Sequence, residues 1–224
     1  MTPPVKHRLL LVDDHAIVRQ CLKLLVELEA DLRVAGEAES VAQAIDLLRK
    51  HTYELAIVDI SLEGASGLSL VRHIVATHAH TRVIVLTMHD ETLYWDRAMA
   101  AGAHGFVTKR SAAAELLSAI RAVLAGKIYA SAHAQTRLLQ VARASGWGTT
   151  PSPLDTLSNR ELEVLRLIGQ GLGSGDIGRR LHRSVKTIDT HKANLKTKLG
   201  LSGAAELLRY AAQMAAEADS EFGQ

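Results

Sequence analysis

The sequence predicts an α/β fold, a (βα)5 doubly wound parallel sheet, followed by a small all-α four-helix domain that contains a helix-turn-helix. Three observations lead there. Five short β-rich runs alternate with helical patterns as far as Ala125; a stretch broken by Gly146, Gly148, Pro151 and Pro153 then interrupts every period; beyond Leu157 only helical spacing remains.

The first strand is expected from Arg8 to Val12, where the apolar run LLLV ends abruptly in Asp13 and Asp14. The others follow at Leu32 to Gly36, Leu55 to Asp59, Val83 to Thr87 and Gly105 to Thr108. Between and after them, helical periodicity covers Ala16 to Glu29, Val41 to His51, Leu68 to His78, Glu91 to Ala101 and Ala112 to Ala125. Strands joined through helices must run parallel, with helices on both faces of the sheet.

The chain has 224 residues, 47% of them hydrophobic and 22% charged, which is ordinary globular composition with room for two modest domains. The expected division is a first domain over 6–127, a linker over 128–155 and a second domain over 156–217. A lone cysteine, Cys21, excludes an intramolecular disulfide framework and a cysteine-based zinc cluster, and favours a reducing compartment, by default the cytoplasm. The run Leu9 to Val12 is too short for a signal-peptide core, and no stretch approaches the roughly 18 apolar residues of a membrane span. The expectation is a soluble protein with no membrane partner. Net charge is +2, but from Thr156 to Glu217 ten Lys or Arg face six Asp or Glu, so that segment carries +4 and the remainder −2. A basic rear segment suits a polyanion or a solvated surface equally.

In an open parallel sheet, ligands bind beyond the carboxyl ends of the strands. Asp13 and Asp14 end the first strand, Asp59 the third and Thr87 the fourth, while Lys109 follows the fifth. Any one of these is most simply a solvated strand end; together they converge on one edge. Adjacent carboxylates repel and resist burial, so something must compensate them: a bound cation, nearby ammonium groups or exposure to water at a strand end. Asp14 and Asp59 can share Mg2+, which prefers hard oxygen ligands, with Asp13 assisting through the waters of the metal. Asp59 can then act as nucleophile toward phosphorus, with Lys109 and the Thr87 hydroxyl binding the phosphoryl oxygens.

The runs LLLVDDHAIVR, AIVDISLEGASG, VIVLTMHD and GAHGFVTKR resemble the receiver domain of bacterial two-component response regulators, from about Arg8 to Gly126. The resemblance implies a flavodoxin-like sheet of strand order 2-1-3-4-5. It implies phosphorylation of Asp59 by a sensor histidine kinase, and Mg2+ held by Asp14, Asp59 and the backbone carbonyl of Ser61. It also implies a switch in which Thr87 moves toward the phosphoryl group and Phe106 changes rotamer. Two positions depart from the pattern: Arg110 stands where many receivers have proline, and Phe106 replaces the commoner tyrosine.

In the rear segment, Ser158 and Glu161 have the spacing of a capping box ahead of Leu162, Leu165 and Ile168, so a helix starts there and stops near Gly171. A short helix from Ser174 to Leu181, a turn at His182 and Arg183, a third helix capped by Ser184 and reaching Leu199, and a fourth over Ala204 to Ala215 complete a bundle. In the third helix Val185, Ile188, Leu195 and Leu199 form the core stripe. The other face carries Lys186, Thr187, Asp189, Thr190, Lys192, Ala193 and Lys196, a mixture of small, polar and basic residues that suits the major groove of DNA, although a solvated amphipathic helix has the same pattern.

The preceding short helix and tight turn favour the helix-turn-helix reading. The segment from Leu157 to about Ala212 resembles the LuxR-type (NarL/FixJ-type) helix-turn-helix, carried by Leu157, Arg160, Glu161, Glu163, Val164, Leu165, Gly171, Ile177, Leu181, Ser184, Thr187, His191, Lys198, Leu199 and Gly200. It departs at Gly173, Ser174, Gly175 and Gly178. Each interior helical glycine costs about 1 kcal/mol relative to alanine, which predicts a looser scaffold helix. Asp189 also occupies a position that is often basic.

The leading expectation is a phosphorylation-controlled, DNA-binding transcription regulator with Mg2+ as cofactor, partnered by a sensor histidine kinase, double-stranded DNA and a second copy of itself. Two rivals stand beside it. An aspartate-nucleophile phosphatase needs a second acid two residues after the nucleophile, where this chain has Ser61; a dimerisation scaffold that takes no phosphate would not need the complete Asp14, Asp59, Thr87 and Lys109 set. His78 and His80 end a helix and are expected to be solvated. Tyr94 and Trp95 are expected to pack, and Trp147 suggests no role.

Overall fold

Two units, residues 1–147 and 148–224, make up the chain in the computed structural model, which describes residues 6–62, 65–88, 91–111, 113–131, 134–135 and 153–220. The front unit is built from β1 (His7–Val12), α1 (Ala16–Glu27), β2 (Leu32–Ala38), α2 (Val41–Lys50), β3 (Leu55–Val58), the two-residue strands β4 (Ser61–Leu62) and β5 (Ala65–Ser66), α3 (Gly67–Thr77), β6 (Arg82–Thr87), α4 (Glu91–Ala100), β7 (Gly105–Thr108) and α5 (Ala113–Leu124). The main sheet has the order β2-β1-β3-β6-β7 with every pairing parallel. Counting sheet strands only, this is the implied 2-1-3-4-5.

Side chains alternate across the sheet, and both faces are apolar. Leu9, Leu11, Leu55, Ile57, Ile84, Leu86 and Val107 share a core cluster with Val26 of α1 and with Leu116, Ile120 and Val123 of α5. The residues between them, among them Leu10, Ala56, Val58, Val83, Val85 and Phe106, are equally buried, as are Leu48 of α2, Ile74 of α3 and Trp95 of α4. Burying a Leu, Ile or Val contributes roughly 1.5–3 kcal/mol, which is why a strand such as LLLV lies inside the sheet, between β2 and β3, rather than at an edge. On the outside of α1, Ile17, Leu24 and Leu28 are exposed; their spacing places them on one stripe of the helix.

Two local features were not anticipated. The small antiparallel pair Ser61–Leu62 and Ala65–Ser66 separates β3 from α3. After α5, Tyr129 forms a parallel bridge with Gly105 and donates its N–H to the His104 carbonyl at 2.9 Å, so the chain returns along the edge of β7. The Ser131 hydroxyl then donates to Glu91 Oε2 at 2.6 Å. Residues 129–131 lie within the stretch expected as linker, most of which is outside the described residues, Trp147 included.

In the rear unit a 3-10 turn (Pro153–Thr156) precedes α6 (Asn159–Gly169), α7 (Ser174–Arg180), α8 (Val185–Leu199) and α9 (Ala204–Ser220). The predicted capping box is formed: Ser158 Oγ accepts from the Glu161 N–H, and the Glu161 carboxylate accepts from the Ser158 N–H. Glu161 is buried, and Lys198 Nζ of α8 donates to its Oε2 at 2.7 Å, tying the start of α6 to the end of α8. Leu162, Leu165, Ile177, Ile188, Leu195, Leu207 and Ala211 form the core.

Three sequence expectations shift here. The fourth helix runs to Ser220 rather than Ala215. Val185, expected on the core stripe, is 50% exposed, standing at the first position of α8, where the helix has only begun to pack. Gly178 is more than a weakness in the scaffold helix. Arg183 donates its N–H to the Gly178 carbonyl at 2.8 Å, and a β-carbon on Gly178 would lie 2.7 Å from the Arg183 carbonyl oxygen, so the missing side chain lets the turn fold close.

Candidate functional site

At the carboxyl edge of the sheet the predicted residues do converge. Asp13 and Asp59 are 2% and 4% exposed, and they leave adjacent strands because β1 and β3 pair in register, with Val12 opposite Val58. The Asp59 N–H donates to the Val12 carbonyl at 2.9 Å, and the Asp13 N–H to the Ala38 carbonyl at 3.1 Å, so sheet pairing holds both backbones. Lys109 reaches in from the end of β7. Its Nζ lies 2.5 Å from Asp13 Oδ2 and 2.7 Å from Asp59 Oδ2. Burial works against the lysine charge, but the Asp59 and Asp13 carboxylates outweigh it and hold its pKa above the usual lysine value.

Gly67 packs directly against the backbone of Asp59 and Ile60. A β-carbon there would lie 1.8 Å from the Asp59 carbonyl oxygen. The Gly67 N–H donates to the Ile60 carbonyl at 2.9 Å, and Ser61 N–H donates to Asp59 Oδ1 at 3.2 Å. The Asp59 carboxylate is thus oriented by the tight turn that follows it. Thr87, fully buried, ends β6, and its carbonyl accepts the Lys109 N–H at 2.7 Å. Phe106 is fully buried and meets Trp95 edge-on, with ring centroids 6.3 Å apart. No cis peptide occurs among the described residues, the Lys109 to Arg110 bond included.

Asp13, Asp14, His15 and Asp59 each offer a ligand atom within 4.8 Å of the others. Asp14 Oδ1 is a buried oxygen without a hydrogen-bond donor. His15 Nδ1 lies 2.7 Å from it but out of hydrogen-bonding alignment. A buried carboxylate oxygen left without a donor is costly, and a hard cation supplies what it lacks. The donor set, three carboxylates within reach of one point, fits Mg2+. His15 was missed by the sequence reading; its backbone N–H donates to Asp13 Oδ1 at 2.9 Å, and its adjacency to the acid pair was the only signal. His78 and His80 take no part. His78 caps α3 and meets Thr77 Oγ1 at 2.7 Å, and His80 is exposed.

The outward face of α8 is the second candidate surface. Ser184 caps the helix, accepting from the Thr187 N–H at 3.1 Å. Lys186, Asp189, Thr190 and Ala193 are exposed, while Thr187, Lys192 and Lys196 are half-buried. Lys192 is not free as its position suggested: its Nζ donates to Ser174 Oγ of α7 at 2.8 Å, and that hydroxyl donates to Asp189 Oδ1 at 2.7 Å. Among the described residues no helix is long and apolar enough to cross a membrane.

A sheet edge of this composition, followed by a helix-turn-helix, defines a class. The family described as response regulator receiver domain matches residues 9–121, and that described as bacterial regulatory proteins, luxR family, matches residues 155–211. The chain belongs to the LuxR-family response regulators, which are DNA-binding transcription regulators of two-component systems, and the phosphatase reading is thereby set aside. The Fimbriae Z protein of Salmonella typhimurium is 35% identical over 203 residues, covering 90% of this chain and 94% of its own. The oxygen regulatory protein NreC of Staphylococcus haemolyticus is 33% identical over 208 residues, covering 91% and 96%. Among solved structures, RcsB from Salmonella enterica serovar Typhimurium, bound to promoter P1flhDC in the presence of the phosphomimetic BeF3-, has a TM-score of 0.58 at 29% identity, covering 93% of this chain and 99% of that one. A structure of two RcsB dimers bound to two parallel DNAs has a TM-score of 0.57 at 29% identity, covering 92% and 98%.

Proposed function

We propose that Asp59 is the phosphoacceptor of this regulator and that Asp13, Asp14, Asp59 and the Ser61 carbonyl would hold Mg2+ beside it. The observation that carries the reading is the pairing of a buried, oriented Asp59 carboxylate with Lys109 Nζ at 2.7 Å and with the donor-free Asp14 oxygen. Bound there, Mg2+ supplies charge neutralisation for carboxylate and phosphate alike. Asp59 attacks the phosphorus of a phosphohistidine on a sensor kinase. The P–O bond forms as the P–N bond breaks, and the imidazole leaves with the electron pair. Lys109 then binds the phosphoryl oxygens. Thr87 and Phe106 respond to the new group of about two negative charges.

The output is contact of α8 with double-stranded DNA. Lys186 and Lys196 meet phosphates, Lys192 stays on Ser174 Oγ, and Thr187, Asp189, Thr190 and Ala193 approach base edges. Relatives bound to DNA as dimers support the same arrangement here, in which phosphorylation pairs two copies on adjacent half-sites. The test is incubation of the purified protein with acetyl phosphate and Mg2+, followed by intact mass and by sequencing of the DNA fragments it retains. One phosphoryl group, lost in Asp59→Asn, and a phosphorylation-dependent gain in retained DNA are expected. Labelling unchanged in Asp59→Asn overturns the assignment.

A further inference from the structure

The outward face of α8 carries one acid among its lysines. Beside a polyanion that carboxylate lowers affinity, so its presence calls for a compensating use. It is held from another helix. Ser174 Oγ, in the first residue of α7, donates to Asp189 Oδ1 at 2.7 Å, and Lys192 Nζ donates to Ser174 Oγ at 2.8 Å. A hydroxyl has one proton and two lone pairs, so both bonds form at once, and the relay from ammonium to hydroxyl to carboxylate is polarised in a single direction.

The sequence around Ser174 serves this contact. The N-cap of α7 is Gly173, with no side-chain cap, so the Ser174 hydroxyl is free of capping duty. Gly173 and Gly175 flank it without side chains, and a β-carbon on Gly175 would meet nothing nearer than Arg179 Nη1 at 3.9 Å. The departure from the family pattern at 174 thus places a short hydroxyl side chain where it bridges α7 to α8.

The fixed carboxylate has one oxygen committed to Ser174, while Oδ2 carries no hydrogen bond among the described residues. An ionised carboxylate only accepts. In the major groove, guanine offers acceptors at O6 and N7, thymine an acceptor at O4, and adenine a donor beside the N7 acceptor; cytosine alone presents its N4 amino donor without an adjacent acceptor. We infer that Asp189 reads the amino group of a cytosine and that Ser174 is the positioning residue that aims it, so that the scaffold helix sets the base preference of the recognition helix. This rests on α8 being the DNA-contacting helix.

The experiment selects binding sites from a random double-stranded DNA library with the full-length, acetyl-phosphate-treated protein, and compares the wild type with Ser174→Ala, Ser174→Thr and Asp189→Ala. The wild type is expected to show cytosine at one position of each half-site. Ser174→Ala and Asp189→Ala should each reduce discrimination at that same position about tenfold, with other positions unchanged, and Ser174→Thr, which keeps the hydroxyl, should retain it. The inference is overturned if Ser174→Ala or Asp189→Ala keeps the wild-type preference, if the position sensitive to Asp189 favours another base, or if Ser174→Ala weakens all sequences alike. A wild type that enriches no DNA instead overturns the reading on which the inference rests. A variant with a lowered melting temperature is judged by Ser174→Thr and Asp189→Ala.

Discussion

The α-carbon of Gly67 stands so close to Asp59 that a β-carbon built on it would lie 1.8 Å from the Asp59 carbonyl oxygen. Gly67→Ala must therefore displace the backbone that aims the phosphoacceptor. The substitution is expected to cost about 1–3 kcal/mol in thermal or denaturant unfolding. It should also slow labelling by acetyl phosphate at least about tenfold, since misplacing a reacting group is expensive. Unchanged labelling kinetics would show that the turn does not position Asp59.

Lys109 stands between two buried carboxylates, with Nζ at 2.5 Å from Asp13 and 2.7 Å from Asp59. Lys109→Met keeps much of the volume and removes the charge, leaving the acids to repel. The variant should be less stable than the wild type without metal, and Mg2+ should raise its melting temperature more than that of the wild type, by about 5 °C. Differential scanning fluorimetry with and without EDTA reads this directly; equal shifts would separate the metal from the carboxylates.

Glu161 connects the start of α6 to Lys198 of α8. Burial alone would raise its pKa, but the Lys198 ammonium and the Ser158 donors outweigh burial and hold it below the ordinary value of 4.5. A depressed carboxylate contributes stability that is present above that value and lost as pH falls through the folded one. Acid unfolding of the rear unit should accordingly begin below pH 4.5. Glu161→Gln should lower stability at neutral pH by about 2 kcal/mol and flatten that acid limb. Near-ultraviolet or fluorescence melts across pH would check both.

Gly175 is a helical glycine with open space around it. Gly175→Ala should stabilise the rear unit by about 0.5–1 kcal/mol, as measured by denaturant midpoint. No gain would mean that the first turn of α7 is frayed in the native state.

Lys186 is exposed on α8. Lys186→Ala should weaken binding to all DNA sequences and lower the slope of log affinity against log salt by roughly one unit. A slope that does not move places this ammonium away from the phosphates.

The strand-end residues were legible because a buried parallel strand is a short apolar run, and the polar residue that stops it must lie at the sheet edge. Asp13, Asp59, Thr87 and Lys109 needed no more than that. The hairpin at 61–66 was not legible, since two residues are too few to show a period. His15 was hidden because a histidine at the start of a helix reads first as solvent-facing. The Ser174, Asp189 and Lys192 relay crosses from one helix to another, so no spacing within either helix marks it. Gly178 was misread for a similar reason: propensity counts its entropy cost, whereas its benefit, the approach of Arg183, exists only once the turn is formed.

The stripe of Ile17, Leu24 and Leu28 along α1 has a practical consequence in the test tube. With a net charge of only +2, molecules at high concentration have little mutual repulsion to keep these greasy flanks apart. Sulfate and phosphate salts, which strengthen burial of apolar surface, will precipitate the protein early, whereas mild chaotropes will keep it dispersed.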